Sequence, residues 1–382
     1  MPDENVTRAR IAQNENLTRA REGQNDEFYT QFEDIEKEVN AYLELNPDVF
    51  RGKTILLPCD DPEWSNFTKF FALNFEYFGL KKLISTCYAM EGATPTQPIT
   101  FVTKPPHYNV EKSKKHGKIL VIEGNDDAQK SINLENLQWN YLEGDGDFRS
   151  EEISALRDEA DIIITNPPFS LFREFIAWIF KANKRFLVIG NMNGVTYKEV
   201  FPLIKENKMW YGCSISSGDR EFCVPEEYPL EAAGWRIDER GNKYIRVKGV
   251  RWFTNLDHGR RHLPLPLMTM ADNLKFSRHK DLKEKHAYKH YDNYDAIEVP
   301  YTEAIPDDYD DVMGVPISFL DKYCPEQFEI LGITQRNDDP FKTKKYTIDQ
   351  YSNANDLNAR GVIIVDGKPK SIYARILIRK KQ

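Results

Sequence analysis

Residues 166–169 read Asn-Pro-Pro-Phe and follow directly on the run Asp-Ile-Ile-Ile-Thr at 161–165. Each proline fixes its own φ and pushes the residue before it toward extended geometry, so Asn166 and Pro167 are both stiffened. Pro167 and Pro168 donate no backbone hydrogen bond. The loop therefore offers the side-chain carbonyl of Asn166 and the backbone carbonyl of Pro167 as acceptors, with the flat ring of Phe169 beside them. That set suits a planar group bearing an NH2. Two acceptors can take both amine hydrogens and draw the nitrogen lone pair out of conjugation, while Phe169 stacks on the ring. A weak nucleophile could then attack an electrophilic methyl group through orientation and electrostatic preorganisation. An Asn-Pro turn after a strand is common; the whole tetrapeptide behind an apolar strand is not.

Two acidic turns accompany it, Cys59-Asp60-Asp61 and Gly144-Asp145-Gly146-Asp147-Phe148. Taken alone both are ordinary turn chemistry, and neither has the spacing of a calcium loop. The five cysteines and seven histidines are scattered without metal-ligand spacing, so no metal site is predicted and reduced thiols fit better than a disulfide framework.

The elements that must position these residues follow from apolar runs and helical periodicity. Strands are predicted at 54–57, 83–87, 118–122, 137–142, 161–165 and 185–189, the pair 118–122 and 137–142 serving as strands or as a hairpin. Helices are predicted at 66–78, where Phe67, Phe70, Phe71 and Phe78 share a face, and at 171–182. Continuous apolar strands separated by helices imply a parallel sheet covered on both faces, an α/β class. Ligands of such sheets lie at the carboxyl ends of the strands, which directs attention to 58–62, 87–88, 144–148 and 166–169.

No apolar run approaches the roughly 20 residues of a membrane span, and the N-terminus lacks a secretory stretch. A cytoplasmic protein is expected. The net charge of −8 at first opposes a nucleic-acid partner, but its distribution reverses that: residues 243–289 hold 12 Lys/Arg against 4 Asp/Glu, and 366–382 hold six against one. Local fields matter more than the total for binding a polyanion. Residues 4–10 and 15–21 repeat as ENVTRAR and ENLTRAR. The offset of 11 is close to three helical turns, which fits either a helical arm ordered by DNA or a solvated extension.

Asn-Pro-Pro-Phe after the fourth parallel strand resembles the amino-methyltransferases of adenine, cytosine N4 and glutamine amides. DEFYTQ, CDDPEWSNF, GDGDFRS, TNPPFSLFRE, TYKEVF, WFTNLD, YDNYDAI and GVPISFL, in that order between about residues 26 and 327, resemble the EcoRI-type adenine-N6 DNA methyltransferases. The resemblance implies a Rossmann-like fold with S-adenosylmethionine as cofactor, a mostly parallel sheet with an antiparallel final strand, and a smaller C-terminal DNA-recognition region. It divides the chain into a polar arm at 1–25, a catalytic domain at 26–258 and a target-recognition region at 259–382, with 208–213 and 249–254 forming the closing hairpin.

The implied cofactor residues are Phe28, Tyr29 and Thr30 on the methionine moiety, Cys59, Asp60 and Asp61 at the end of the first strand, and Asp145, Asp147 and Phe148 beside the adenine. A glycine-rich turn is missing after the first strand, as in EcoRI-type relatives. The second strand ends Thr86-Cys87-Tyr88 without the usual ribose acid, leaving Asp60 or Asp61 to replace it. Arg260, Arg261, Lys275, Arg278 and Lys280 are the expected DNA contacts, in a basic stretch that also holds Tyr288, Tyr291 and Tyr294. A target adenine within double-stranded DNA must be flipped out to reach Asn166. The resemblance further suggests a palindrome like GAATTC, a working monomer and a cognate restriction endonuclease. The alternatives are an amino-methyltransferase of RNA adenine, cytosine N4 or protein glutamine, and a catalytically silent DNA-binding relative.

Overall fold

The computed structural model describes residues 30–89, 108–124, 137–216, 219–224, 230, 234–283, 287–335 and 340–381. The arm at 1–25, together with Phe28 and Tyr29, lies outside the described residues. Two compact units are present, Met1–Asn191 with Gly212–His258, and Met192–Tyr211 with Gly259–Gln382. The second unit thus takes in an excursion, Met192–Tyr211, that chain order alone puts inside the first.

In the first unit, helix α1 (Phe32–Leu45) precedes strand β1 (Thr54–Leu57), helix α2 (Asn66–Leu73), β2 (Lys82–Cys87), β3 (Lys118–Glu123) and β4 (Asn140–Tyr141). Helix α3 (Glu151–Glu159), β5 (Ile162–Thr165), α4 (Phe172–Lys181) and β6 (Arg185–Asn191) follow. An antiparallel ribbon, β7 (Asp219–Val224), β8 (Trp235–Ile237) and β9 (Lys243–Lys248), then leads into β10 (Val250–Thr254).

Strand order across the main sheet of this unit is β4-β3-β2-β1-β5-β6-β10. β2, β1, β5 and β6 run parallel. Each is an unbroken or nearly unbroken buried run, as both-face coverage requires. β3 runs antiparallel to β2, and its burial alternates, Leu120 and Ile122 inward and Val121 outward. β3 and β4 pair as a hairpin, and β10 runs antiparallel to β6 on its far side. From β1 the chain steps to β2 on one side and later returns to β5 on the other, so the switch point lies between β1 and β5.

α2 begins where Ser65 caps it, the hydroxyl accepting from the Phe67 and Thr68 amides at 3.0 and 3.4 Å. The burial of Phe67, Phe70 and Phe71 at i, i+3 and i+4 fixes its inner face, each ring worth roughly 1.5–3 kcal/mol. The helix stops at Leu73, short of the 78 expected, because Asn74 turns its side-chain amide onto the Phe70 carbonyl at 2.9 Å.

α1 contributes a polar anchor. Glu38, fully buried, accepts from the Tyr42 hydroxyl at 2.6 Å and from the Cys213 and Ser214 amides at 3.1 and 2.7 Å. Glu38→Ala leaves those buried donors without an acceptor and is expected to cost about 3 kcal/mol. The check is a lowered urea midpoint with unchanged m value.

In the second unit, helix α5 (Met270–Phe276) precedes β11 (Lys289–His290), β12 (Ile297–Glu298), β13 (Met313–Pro316), β14 (Phe328–Ile333), helix α6 (Ala354–Ala359), β15 (Val362–Val365), β16 (Lys368–Ser371) and β17 (Arg375–Lys380). β11-β12-β13-β17-β14 form a five-stranded sheet over a core that includes Val315, Phe319, Phe328, Ile376 and Ile378. Glu298 on β12 and Arg375 on β17 form a largely buried ion pair at 2.8 Å.

Candidate active site

β5 is held on both sides by parallel strands, and its last residue, Thr165, is fully buried. Asn166 follows at the carboxyl edge of the sheet with its Oδ1 shielded from solvent. Pro168 is extended (φ −52, ψ 125), and its carbonyl accepts from the Leu171 amide at 3.0 Å, starting the short helix Phe169–Leu171 that runs into α4. Phe169 is nearly buried and belongs to the main core cluster, which roots the loop from below.

At the end of β1, residues 58–61 are stitched to β2. The Asp60 amide donates to the Thr86 carbonyl at 2.9 Å, and the Ser85 hydroxyl donates to the Asp60 carbonyl at 2.7 Å. The side chain of Asp60, expected beside a cofactor, turns inward instead. It is 5% exposed, with Oδ1 accepting from Ser65 Oγ at 2.6 Å and Oδ2 from Thr165 Oγ1 at 2.5 Å. Burial pushes its carboxyl up to about 7, against the lowering effect of those two hydroxyls.

Asp61 keeps a partly open position. Its Oδ1 accepts from the Glu63 amide at 2.8 Å and its Oδ2 from Lys118 Nζ, also at 2.8 Å. Lys118 reaches over from β3 and bonds Glu63 as well, at 2.5 Å. Cys59 is half-buried, and Thr30 is buried.

The acidic turn at 144–148 is clamped to the end of β2 by backbone contacts. The Ala89 amide donates to the Asp145 carbonyl at 2.7 Å, and Gly117 donates to the Gly144 carbonyl at 3.0 Å. Gly146 has φ +83 and lies against the Cys87 carbonyl. Asp145 is exposed. Asp147 receives a two-pronged hydrogen bond from Arg149, whose own third contact is Glu174 at 3.1 Å, and that guanidinium holds Asp147 below the usual carboxylate range. Phe148 departs from the expected face-on role: at 4% exposure it packs edge-on against Phe175 and Trp178 at 5.0 and 5.6 Å.

The structure therefore brings Cys59, Asp61, Asp145, Asp147 and Asn166–Phe169 to the carboxyl edge of one sheet around its switch point, where ligands of open α/β sheets bind. It adds Ser65, Lys118, Arg149 and Thr165, which sequence reasoning passed over. Only Thr165 carried a signal there, as the neighbour of Asn166. Among the described residues no group of His, Cys, Asp or Glu could hold a metal ion, and no helix is long and apolar enough to cross a membrane.

In the second unit Arg260 is exposed, while Arg261 is buried with its guanidinium 3.6 Å over the Trp210 ring and bonded to Asn207. Arg261 is thus an internal cation and not a surface one. Lys275 and Phe276 end α5 exposed, with Lys275 Nζ 4.9 Å over the Phe276 ring. Arg278 is exposed and pairs with Glu303 at 3.2 Å. The side chain of Lys280 lies outside the described residues. Tyr288, Tyr291 and Tyr294 are all buried, so these rings are core.

A mostly parallel sheet carrying Asn-Pro-Pro-Phe behind a central strand, at the switch point, fits the amino-methyltransferase class that the sequence resembles. The match to the family described as "Adenine-specific methyltransferase EcoRI" extends over residues 16–381. Type II methyltransferase M.EcoRI of Escherichia coli is 41% identical over 376 residues, 98% of this chain and 99% of that protein. Type II methyltransferases M.MpnI of Mycoplasma pneumoniae and M.MgeORF184P of Mycoplasma genitalium are each 32% identical, covering 94% of this chain and 95% and 96% of theirs. No solved structure matches. The chain belongs to the EcoRI family of adenine-specific methyltransferases and is an adenine-specific DNA methyltransferase.

Proposed function

We propose that the enzyme methylates the N6 amine of an adenine flipped from duplex DNA, with S-adenosylmethionine as donor, within a short palindrome resembling GAATTC. It works as a monomer beside a cognate endonuclease. The observation that carries the reading is the Asn166–Phe169 loop at the carboxyl end of β5, with the Asn166 amide oxygen shielded from water.

The donor set fits the cofactor. Partly open carboxylates at Asp61 and Asp147 and an exposed one at Asp145 suit ribose hydroxyls, an exocyclic amine and a nearby positive charge. Asp61 takes the ribose in preference to Asp60, because Asp61 keeps a partly open side chain while that of Asp60 is buried against Ser65 and Thr165. The methionine moiety is assigned to Phe28, Tyr29 and Thr30 as the sequence resemblance implies, with Cys59 beside it, while Phe148 acts by holding the 144–148 turn onto α4. Bound there, S-adenosylmethionine supplies an electrophilic methyl group. The chain's part is to hold the amine: Asn166 and the Pro167 carbonyl accept its two hydrogens, Phe169 stacks on the base, and the two prolines keep both acceptors from relaxing.

Arg260, Lys275, Arg278 and Lys280 contact phosphates. Arg260→Ala is expected to reduce the slope of log K against log salt by about one, the loss of a single phosphate contact. Arg261→Ala, by contrast, lowers the melting temperature by removing a buried cation from Trp210. An unchanged slope in Arg260→Ala sends the interface elsewhere. The reading as a whole is tested by sequencing modified bases in DNA from cells expressing the chain. N6-methyladenine confined to one short site is the expected outcome, and its absence with soluble, folded protein present overturns the proposal.

A further inference from the structure

The inward turn of Asp60 connects two parts of the site that the sequence keeps 105 residues apart. Its carboxylate receives the Ser65 hydroxyl, which caps α2, and the Thr165 hydroxyl, which belongs to the residue immediately before Asn166. Its backbone is fixed on both sides, by Thr86 and Ser85 of β2. Ser85 in turn bonds Thr68 of α2 at 2.6 Å. The acceptor for Thr165 is therefore a point anchored to three elements. Pro167 restricts the backbone of Asn166, but the direction of its side chain also depends on the strand end from which it projects. Tying the last side chain of β5 to such a point fixes that end.

We propose that Asp60 is a positioning residue for the amine-binding loop: through Thr165 Oγ1 it sets the direction in which Asn166 presents its amide carbonyl. This rests on the reading of Asn166 given above. Stability alone does not call for an acid at this position. Burial raises the carboxyl to about 7, so between the unfolded value near 4 and that point the unfolded chain holds fewer protons than the folded one. This group's effect on stability thus worsens as pH rises through that window and is fully unfavourable above it. The other ionisable groups nearby are Asp61 next in the chain, Glu63 ahead of α2, Lys118 from β3, and the thiols of Cys59 and Cys87.

Thr165→Val keeps shape and strand preference but removes the hydroxyl; Thr165→Ser restores it. Single-turnover methyl transfer to a duplex containing the site is measured with saturating S-adenosylmethionine, alongside dissociation constants for DNA and for S-adenosylmethionine. Thr165→Val is expected to slow the chemical step roughly 100-fold, the scale of an ångström of misplacement, with both dissociation constants within about threefold of the parent. Thr165→Ser should recover most of the rate. Asp60→Asn keeps shape but leaves one acceptor oxygen for the two hydroxyls, so it should slow the step by less than Thr165→Val does and remain folded at pH 8, and the test survives if Thr165→Val does not fold. A rate within threefold of the parent, a serine variant as slow as the valine one, or a loss confined to binding overturns the proposal. Asn166→Ala is run beside them. If it turns over normally the reading of the loop fails; if it is inactive while Thr165→Val and Asp60→Asn are normal, only the role of Asp60 fails.

Discussion

Asn166→Ala is expected to lower methyl transfer to duplex DNA by roughly 10³-fold or more while leaving DNA affinity within a few fold. Once the side chain is gone, the Pro167 carbonyl is the one acceptor of the pair left to the amine. An amine conjugated to its ring is a poor nucleophile unless both hydrogens are held out of the conjugated geometry, and one remaining carbonyl cannot do that. The loss appears in the chemical step because a group that grips the amine hardest as its charge develops contributes to the transition state more than to binding. Asn166→Asp retains an acceptor of the same shape and should keep a measurable part of the rate, which separates acceptance from mere bulk. Single-turnover kinetics with labelled methyl donor decide the matter, and parental turnover in Asn166→Ala removes the residue from the mechanism.

The place of Asn166 at the carboxyl edge of the sheet was legible in the sequence for a physical reason. β1, β2, β5 and β6 are covered on both faces, so each is written as consecutive apolar residues, and a motif directly behind such a strand must lie at the carboxyl edge of the sheet. The same logic fails where strands are half covered or short. β9 reads Lys-Tyr-Ile-Arg-Val-Lys with only Val247 buried, and β11 and β12 hold two residues each, so these three strands left no periodic trace. Tyr288, Tyr291 and Tyr294 misled for a related reason: beside lysines they resemble a nucleic-acid surface, yet each ring is core.

Side-chain direction was the other blind spot. Asp60 and Asp61 are adjacent, but only the fold decides that one faces Ser65 and Thr165 and the other Lys118. Arg260 and Arg261 divide in the same way, one outward and one under Trp210. Composition ranks neighbours alike; the pleat of a strand or the turn of a loop separates them.

The acidic turn at 144–148 gives the second large expected effect. Gly146→Ala should destabilise the first unit by about 3 kcal/mol or more, or displace the turn, and in either case weaken S-adenosylmethionine binding at least tenfold. Gly146 sits at φ +83, and a Cβ there would be 2.3 Å from the Cys87 carbonyl oxygen and 3.3 Å from Gly117 Cα. Both neighbours are backbone, so no rotamer change can relieve the contact. The turn could escape only by giving up the Ala89–Asp145 and Gly117–Gly144 hydrogen bonds that carry Asp145 and Asp147 to the site. Gly241→Ala is the matched control. It shares the left-handed backbone, φ +86, but has nothing within 4 Å of its Cβ position, so only the conformational cost of about 1 kcal/mol applies. Thermal unfolding and calorimetric titration of the two variants isolate the close approach from the strained φ. Equal losses in both would mean that the packing of Gly146 on β2 does not govern the turn.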